Sequence, residues 1–185
     1  MIDVCNKLVD NGMTREELLE RVTIENTRPE DMAEICNTLS KAFDMYSPKE
    51  AFMQLVNSRA RMYDSVKLVD RHTGEIYGLL MFCEYPITIG SPIIHTNMEL
   101  AEYLGPFRQI NGHSFIIDER LRGTGLDRKM LFKNIGMLKE YDFIWIGVEK
   151  SLKSHSYWER LGFIRVFEIP EAVFYMMPLN KNMIN

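Results

Sequence analysis

Cysteine is scarce in this sequence: Cys5, Cys36 and Cys83 are the only three among 185 residues. An odd, widely spaced set makes neither a disulfide framework nor a closed zinc site, and reads as reduced thiols of a cytoplasmic protein. Cys36 and Cys83 stand in apolar stretches and read as core filler. The four histidines, His72, His95, His113 and His155, are scattered, so no metal is expected. Positive charge is not in excess either. Lys and Arg number 22 against 26 Asp and Glu, a net charge of −4, with a pI near 5.6. That speaks against nucleic acid as a partner, while leaving room for a local anion site at a helix terminus. No apolar run reaches the ~18 residues of a membrane span, and the opening Met1–Lys7 lacks the basic patch and apolar stretch of a signal peptide. Repeats and low-complexity segments are also missing. What is present is a 46% apolar composition, ample for the core of a single domain.

The pattern along the chain predicts a mixed α/β architecture. Thr14-Arg15-Glu16-Glu17 is a capping box, so residues 1–20 are expected to form a short helical appendage ahead of a main domain spanning 21–185. Val22–Asn26 reads as a strand, and Thr27-Arg28-Pro29-Glu30 as a helix start. Met32, Ile35, Cys36, Leu39 and Phe43 then share one helical face. Ser47-Pro48-Lys49-Glu50 opens another helix, with Phe52, Leu55, Val56 and Met62 as its apolar side. Val66–Val69 and Ile76–Tyr85, joined by Arg71-His72-Thr73-Gly74, form a hairpin. Residues 86–108 are irregular around a short helix at Met98–Leu104. A strand, Ile110–Asp118, runs through a glycine turn into a helix beginning near Leu126. Tyr141–Val148 is a strand, Ser151–Leu161 a helix, and Phe163–Glu168 with Val173–Met177 an antiparallel pair. A hairpin combined with a strand–helix–strand crossover requires a mixed sheet.

Arg122-Gly123-Thr124-Gly125, between strand and helix, is the strongest chemical feature. Amides at a helix start lack intrahelical acceptors and the helix dipole favours an anion there. Glycines permit close approach to the backbone, and Arg122 and Arg128 add charge. The same glycines also suit an ordinary strand-to-helix turn. The stretch is neither a Walker A loop nor a full dinucleotide fingerprint.

With these residues in place, the chain resembles the GNAT superfamily of N-acetyltransferases. Ile117–Asp127 lies over the family's "V-x-P-x-x-R-G-x-G-I-G" run. Trp158-Glu159-Arg160-Leu161-Gly162-Phe163 lies over "Y-x-x-x-G-F", and Thr27–Asp31 over the first strand-to-helix junction. The resemblance spans about residues 22–179. It implies a mixed, mostly antiparallel sheet flanked by helices and splayed between its fourth and fifth strands. It further implies acetyl-CoA as cosubstrate, with Arg122, Gly123, Thr124, Gly125, Leu126, Asp127 and Arg128 at the pyrophosphate. Ile116, Ile117 and Asp118 would pair with pantetheine, and Ser151, Ser154 and Tyr157 would face the cofactor. A register shifted by two residues, with Arg120 in place of Arg122, also satisfies the shorter signature.

Two positions depart from the family pattern. Asp127 stands where a small residue is usual. Trp158 occupies the place of the tyrosine that reprotonates the departing thiolate, and an indole N–H is no useful acid. Tyr157 is the candidate substitute, one residue and about 100° away around the helix; another acid or water is the alternative. An alkylamine must lose a proton before it attacks. His113, Glu149 and Glu84 are the candidate bases, His113 because an ordinary imidazole titrates near neutrality. A backbone N–H near Phe115–Ile117 would meet the developing oxyanion.

The resulting expectation is an N-acetyltransferase that moves an acetyl group directly to the primary amine of a small molecule. Asp118, Glu119, Glu84 and Glu149 near strand ends would draw a cationic amine, and residues 86–108 would help to form its pocket. The alternatives are a non-catalytic acyl-CoA sensor, motivated by Trp158 and Asp127, and a peptide N-acetyltransferase. No nucleic acid or membrane partner is expected, and a homodimer is left open.

Overall fold

A computed structural model describes residues 8, 11–43, 47–84, 98–152 and 154–179. Its elements run α1 (Arg15–Arg21), β1 (Val22–Asn26), α2 (Met32–Ala42), α3 (Pro48–Asn57), β2 (Val66–Asp70), β3 (Ile76–Cys83), α4 (Met98–Leu104), β4 (Gln109–Ile117), α5 (Leu126–Ile135), β5 (Phe143–Glu149), α6 (His155–Arg160), β6 (Ile164–Glu168) and β7 (Ala172–Pro178). Local chemistry accounts for several boundaries. Thr14 and Glu17 form a reciprocal capping box ahead of α1, and Ser47 with Glu50 does the same for α3. Pro29 opens a 3-10 turn that feeds α2. Gly74, at φ +76°, turns the β2–β3 hairpin in a conformation that favours glycine.

The seven strands form one sheet in the order β1-β2-β3-β4-β5-β7-β6. Every neighbouring pair is antiparallel except β4 with β5. That parallel ladder is short, joining only Gln109–Asn111 to Phe143–Trp145. Just beyond it, β4 carries a bulge. Ser114 faces Met81 and Gly112 faces Phe82, so His113 is the extra residue. A bulge bends its strand and increases the local twist, and past this point β4 stays with β3 while β5 stays with β7. The sheet therefore opens between the fourth and fifth strands, as the family resemblance implies.

Helices cover both faces. Successive strand residues point to opposite sides. Ser114 shares a cavity with Leu39 of α2 and Ala51 of α3, whereas Phe115 packs on Tyr157 and Trp158 of α6. A Cβ placed on Gly78, which pairs with Ile117, would lie 3.5 Å from Met130 Sδ of α5, so α5 shares the α6 face. The main core joins Ile35, Cys36 and Leu39 to the strands and also takes in Leu8 and Leu18, so the leading segment shares that core. A second cluster of Leu104, Phe143 and Trp145 sits with Phe167 and Phe174.

The apolar side expected for α3 needs correction. Leu55 and Ala51 are buried, but Phe52 and Val56 are 43% and 51% exposed. α3 packs chiefly on α2, and a single helix neighbour needs only a narrow stripe. Met62 lies beyond α3 in a separate 3-10 turn.

Candidate active site

The strand gap and the glycine turn lie at the same end of β4. Gly123 and Gly125 have φ of +70° and +79°, the left-handed region that disfavours other residues. Nothing lies within 4 Å of a Cβ built on either one. Gly125 caps α5, and the Thr124 hydroxyl donates to Leu121 O at 2.6 Å, closing the turn. The first amides of α5 have no intrahelical acceptor. Arg122 and Arg128 are exposed at this turn, with Arg128 over the Phe132 ring at 5.3 Å.

Arg120 is committed elsewhere. Its guanidinium grips the fully buried Asp118 through Nε at 2.8 Å and Nη2 at 3.0 Å. It also donates to Met13 O at 3.1 Å. Asp118 further accepts the Arg120 amide at 3.1 Å and the Leu8 amide at 2.9 Å. This pairing favours the unshifted register, in which Arg122 is the arginine of the turn. It also removes Asp118 from the carboxylates expected to attract a cation. The Asp118 side chain ties the leading segment to the end of β4.

Backbone direction sorts the three strand residues expected at pantetheine. The Asp118 amide donates to Tyr77 O at 2.8 Å, toward β3. Along an antiparallel strand the direction alternates, so Ile116 is also turned to β3, while Phe115 and Ile117 hold N–H and C=O toward the gap. Ile117 alone among Ile116, Ile117 and Asp118 offers its backbone there.

On the opposite wall, α6 and its cap residue carry three buried polar atoms without a partner among the described residues: Ser154 Oγ, Tyr157 OH and Trp158 Nε1. Such atoms are costly to leave unsatisfied, and donors or acceptors of this kind suit a polar ligand lying along the helix. Trp158 is 1% exposed and packs against Phe115, Tyr157 and Phe163. Tyr157 stacks on Phe115 at 6.3 Å. Burial, and then the nearby Asp127 carboxylate, raise its phenol well above the ordinary range, although its hydroxyl makes no hydrogen bond of good geometry. Ser151 is exposed, and Lys153 lies outside the described residues.

A cavity of about 330 Å³ opens on the α2–α3 face of the gap. Leu39, Phe43 and Ala51 form its helical wall and Cys83 its β3 edge. Asn111, Gly112, His113 and Ser114 line it from the bulged part of β4, with Gly147 from β5 and Gln54 from α3. His113 Nδ1 and Ser114 Oγ share a hydrogen bond of 2.8 Å. The imidazole keeps some surface on the cavity, but the protein around it lowers its pKa to about 4. The near-neutral titration expected of His113 is thereby corrected, because a desolvated ring resists taking a charge. Burial pushes the Cys83 thiol up to about 12, so it is no thiolate nucleophile at neutral pH.

The other two candidate bases lie elsewhere. Glu84 lines a separate cavity of about 280 Å³ with Arg59, Phe107, Arg108 and Tyr141. There it pairs with Arg61 Nη1 at 2.6 Å and accepts from Tyr141 OH at 3.3 Å. Glu149, at the end of β5, does not line the first cavity among the described residues. Its carbonyl, not its carboxylate, bonds His155 Nε2 at 3.1 Å. The structure thus brings together His113 with the open edge of β4, and Tyr157 with the glycine turn, while Glu84 and Glu149 stand apart. The sequence reading missed Gln54, Asn111 and Ser114; no spacing rule brings α3 against β4. Of the irregular stretch, residues 85–97 lie outside the described residues, as does His95. Among the described residues no group of three potential ligands could hold a metal, and no helix is long and apolar enough to cross a membrane.

No family model matches the chain, and no curated protein matches it in sequence. Solved structures do match it in fold. The GNAT family N-acetyltransferase YhbS from Escherichia coli, in complex with CoA, aligns with 19% identity and a TM-score of 0.63 over 89% of this chain and 85% of that one. An aminoglycoside 6'-N-acetyltransferase complexed with coenzyme A aligns with 10% identity and a TM-score of 0.60, over 85% and 97% of the two chains. The ribosomal-protein-S18-alanine N-acetyltransferase of Escherichia coli gives 15% identity and 0.58, over 86% and 94%. The protein has the fold of the GNAT N-acetyltransferases.

Proposed function

We propose that this protein is an acetyl-CoA-dependent N-acetyltransferase acting by direct transfer to the primary amine of a small molecule. The observation that carries the reading is the opening of β4 from β5 beside a turn whose two left-handed glycines leave their surroundings clear. Acetyl-CoA supplies an acetyl thioester, the activated acyl group. In this reading Gly123–Arg128 present amides and the Arg122 and Arg128 charges to its pyrophosphate. Ile117 offers its N–H and C=O to the amide groups of the pantetheine arm, as an added strand would. The Ser154 and Tyr157 hydroxyls find the partners they lack within the protein. The acetyl end then reaches the bulge at His113, where the cavity from α2 and α3 meets the gap.

The amine approaches through that cavity. The Phe115 N–H, turned toward the gap, can donate to the carbonyl oxygen as charge develops on it. Neutral His113 can accept a hydrogen bond from the attacking amine and pass its proton to water. Cys83, held as a thiol, takes no part, which accords with direct transfer. Asp127 in the first turn of α5 is favourable to the helix dipole and lies toward Tyr157. Tyr157 is the phenol on α6; its raised pKa keeps the hydroxyl protonated, so it can donate a hydrogen bond to the departing sulfur while the proton itself comes from water.

An amine panel with detection of the released thiol tests the proposal. Turnover above background with at least one primary amine supports it. Acetyl-CoA binding with no turnover favours the second reading, an acyl-CoA sensor, to which the buried Trp158 at the usual acid position lends weight.

A further inference from the structure

Among the described residues, the lining of the cavity beside the gap carries no charge. Among its described lining residues there is no Asp, Glu, Lys or Arg, although a quarter of the chain is charged (26%). Its titratable groups are Cys83 from β3 and His113 from β4, both neutral at pH 7. Among the described residues, the elements packed around them add apolar or neutral groups: Phe43 at the end of α2, Gln54 from α3 and Gly147 from β5. The carboxylates that could have served are engaged elsewhere, Asp118 by Arg120 and Glu84 by Arg61.

An ammonium entering such a space would lose water and gain no counter-charge, which is strongly unfavourable. No strong base waits there to take its proton. A neutral amine has no such difficulty. Its N–H groups and lone pair can be met by the Gln54 amide, the Ser114 hydroxyl and the His113 ring. The apolar wall suits a hydrocarbon body, and a volume of about 330 Å³ is at the small end for ligand sites.

Resting on the transferase reading above, we propose that the acceptor is a compact, weakly basic primary amine on an apolar body, of the aromatic-amine class, already uncharged near neutral pH. Polycationic and strongly basic alkylamines are excluded as preferred acceptors. In the transfer the amine nitrogen bonds to the acetyl carbon, the carbon–sulfur bond breaks, and the one N–H proton given up to water is matched by one taken from water by the departing thiolate, so CoA leaves as its thiol.

The test compares an aromatic amine with an alkylamine of similar carbon body, measuring kcat/KM across pH with the full-length protein. Acetyl-CoA binding is measured separately by calorimetry. At pH 7 the aromatic amine is expected to be used at least about tenfold better. Its kcat/KM should stay flat from about pH 6 to about pH 8, while that of the alkylamine rises about tenfold per unit as its neutral fraction grows. Preference for the alkylamine at pH 7 overturns the proposal, as does a bend in the aromatic amine's profile near neutrality. Binding of acetyl-CoA without turnover of either amine overturns it too. Failure to bind acetyl-CoA at all overturns the transferase reading itself, which separates the two. A variant probes the cause. Gln54→Glu, at an exposed helical position, puts a carboxylate on the cavity wall and should shift the preference toward the alkylamine by about tenfold. An unchanged ratio would show that the neutral lining does not set the choice.

Discussion

Cys83 and Glu84 are neighbours at the end of β3, yet they line different cavities. Cys83 faces the neutral space of about 330 Å³ with His113 and Ser114. Glu84 faces one of about 280 Å³ with Arg59, Arg108 and Tyr141. In the second, charge is abundant and largely internally paired. Arg61 reaches Asp64, Glu84 and Glu140 at 2.7, 2.6 and 3.2 Å, and Arg61 and Arg108 both lie over the Tyr141 ring. In the first, no described lining residue carries a charge where β4 leaves β5. Ion pairs tie Arg61 to β3 and to Glu140 around one cavity, and the other has neutral described walls beside the strand gap. Residue type alone does not place a side chain: Glu84, a candidate base in the sequence, pairs with Arg61 and lines a cavity other than that of His113.

The contrast can be broken by substitution. The largest effect is expected where a buried ion pair fixes the end of β4. Asp118→Ala strands Arg120 and the Leu8 amide, and chemical denaturation should show a loss of about 3–5 kcal/mol. Next is Gly112→Val, beside the bulge of β4. A Cβ there would lie 2.8 Å from Ile146 Cγ2, so chemical denaturation should show a loss of about 1–3 kcal/mol.

His113→Gln tests the desolvated ring through acid stability. The folded pKa of about 4 lies below the ordinary value. The unfolded chain therefore binds the extra proton first as pH falls. The neutral ring's stability advantage is complete above about pH 6.5 and is lost as pH drops toward about 4, on the order of 2 kcal/mol. Melting temperatures of wild type should fall more steeply than those of His113→Gln over that window; parallel curves would contradict the burial of the ring. The smallest effect belongs to Glu84→Gln. Its pair is partly exposed, so stability should change by no more than about 1 kcal/mol, and kcat/KM for the acceptor should change less than about twofold. A large loss of rate would return Glu84 to the catalytic candidates.

The sequence carried much of this fold because its signals were local. Capping at Thr14 and Ser47, the spacing of Ile35, Cys36 and Leu39, and glycines between a strand and a helix each depend on near neighbours. The glycine turn was legible for the same reason, since strand, Gly123, Gly125 and helix are contiguous. The site's character was not local. The bulge at His113 is a matter of register between β4 and β3. The lowered pKa of that ring comes from burial by distant elements. The pairing of Asp118 with Arg120 left no trace beyond two charges near a strand end, and the neutrality of the cavity depends on α2 and α3 meeting β4.

The most direct test of the account is calorimetric titration of acetyl-CoA into wild type, Gly125→Asn and Gly125→Glu. Asn tolerates the left-handed conformation and controls for folding, whereas Glu sets a bulky carboxylate at the proposed phosphate position. Saturable one-to-one binding to wild type, retained within a few fold by Gly125→Asn and weakened at least about tenfold by Gly125→Glu, is the predicted result. No binding to wild type, or equal affinity in all three proteins, would contradict it.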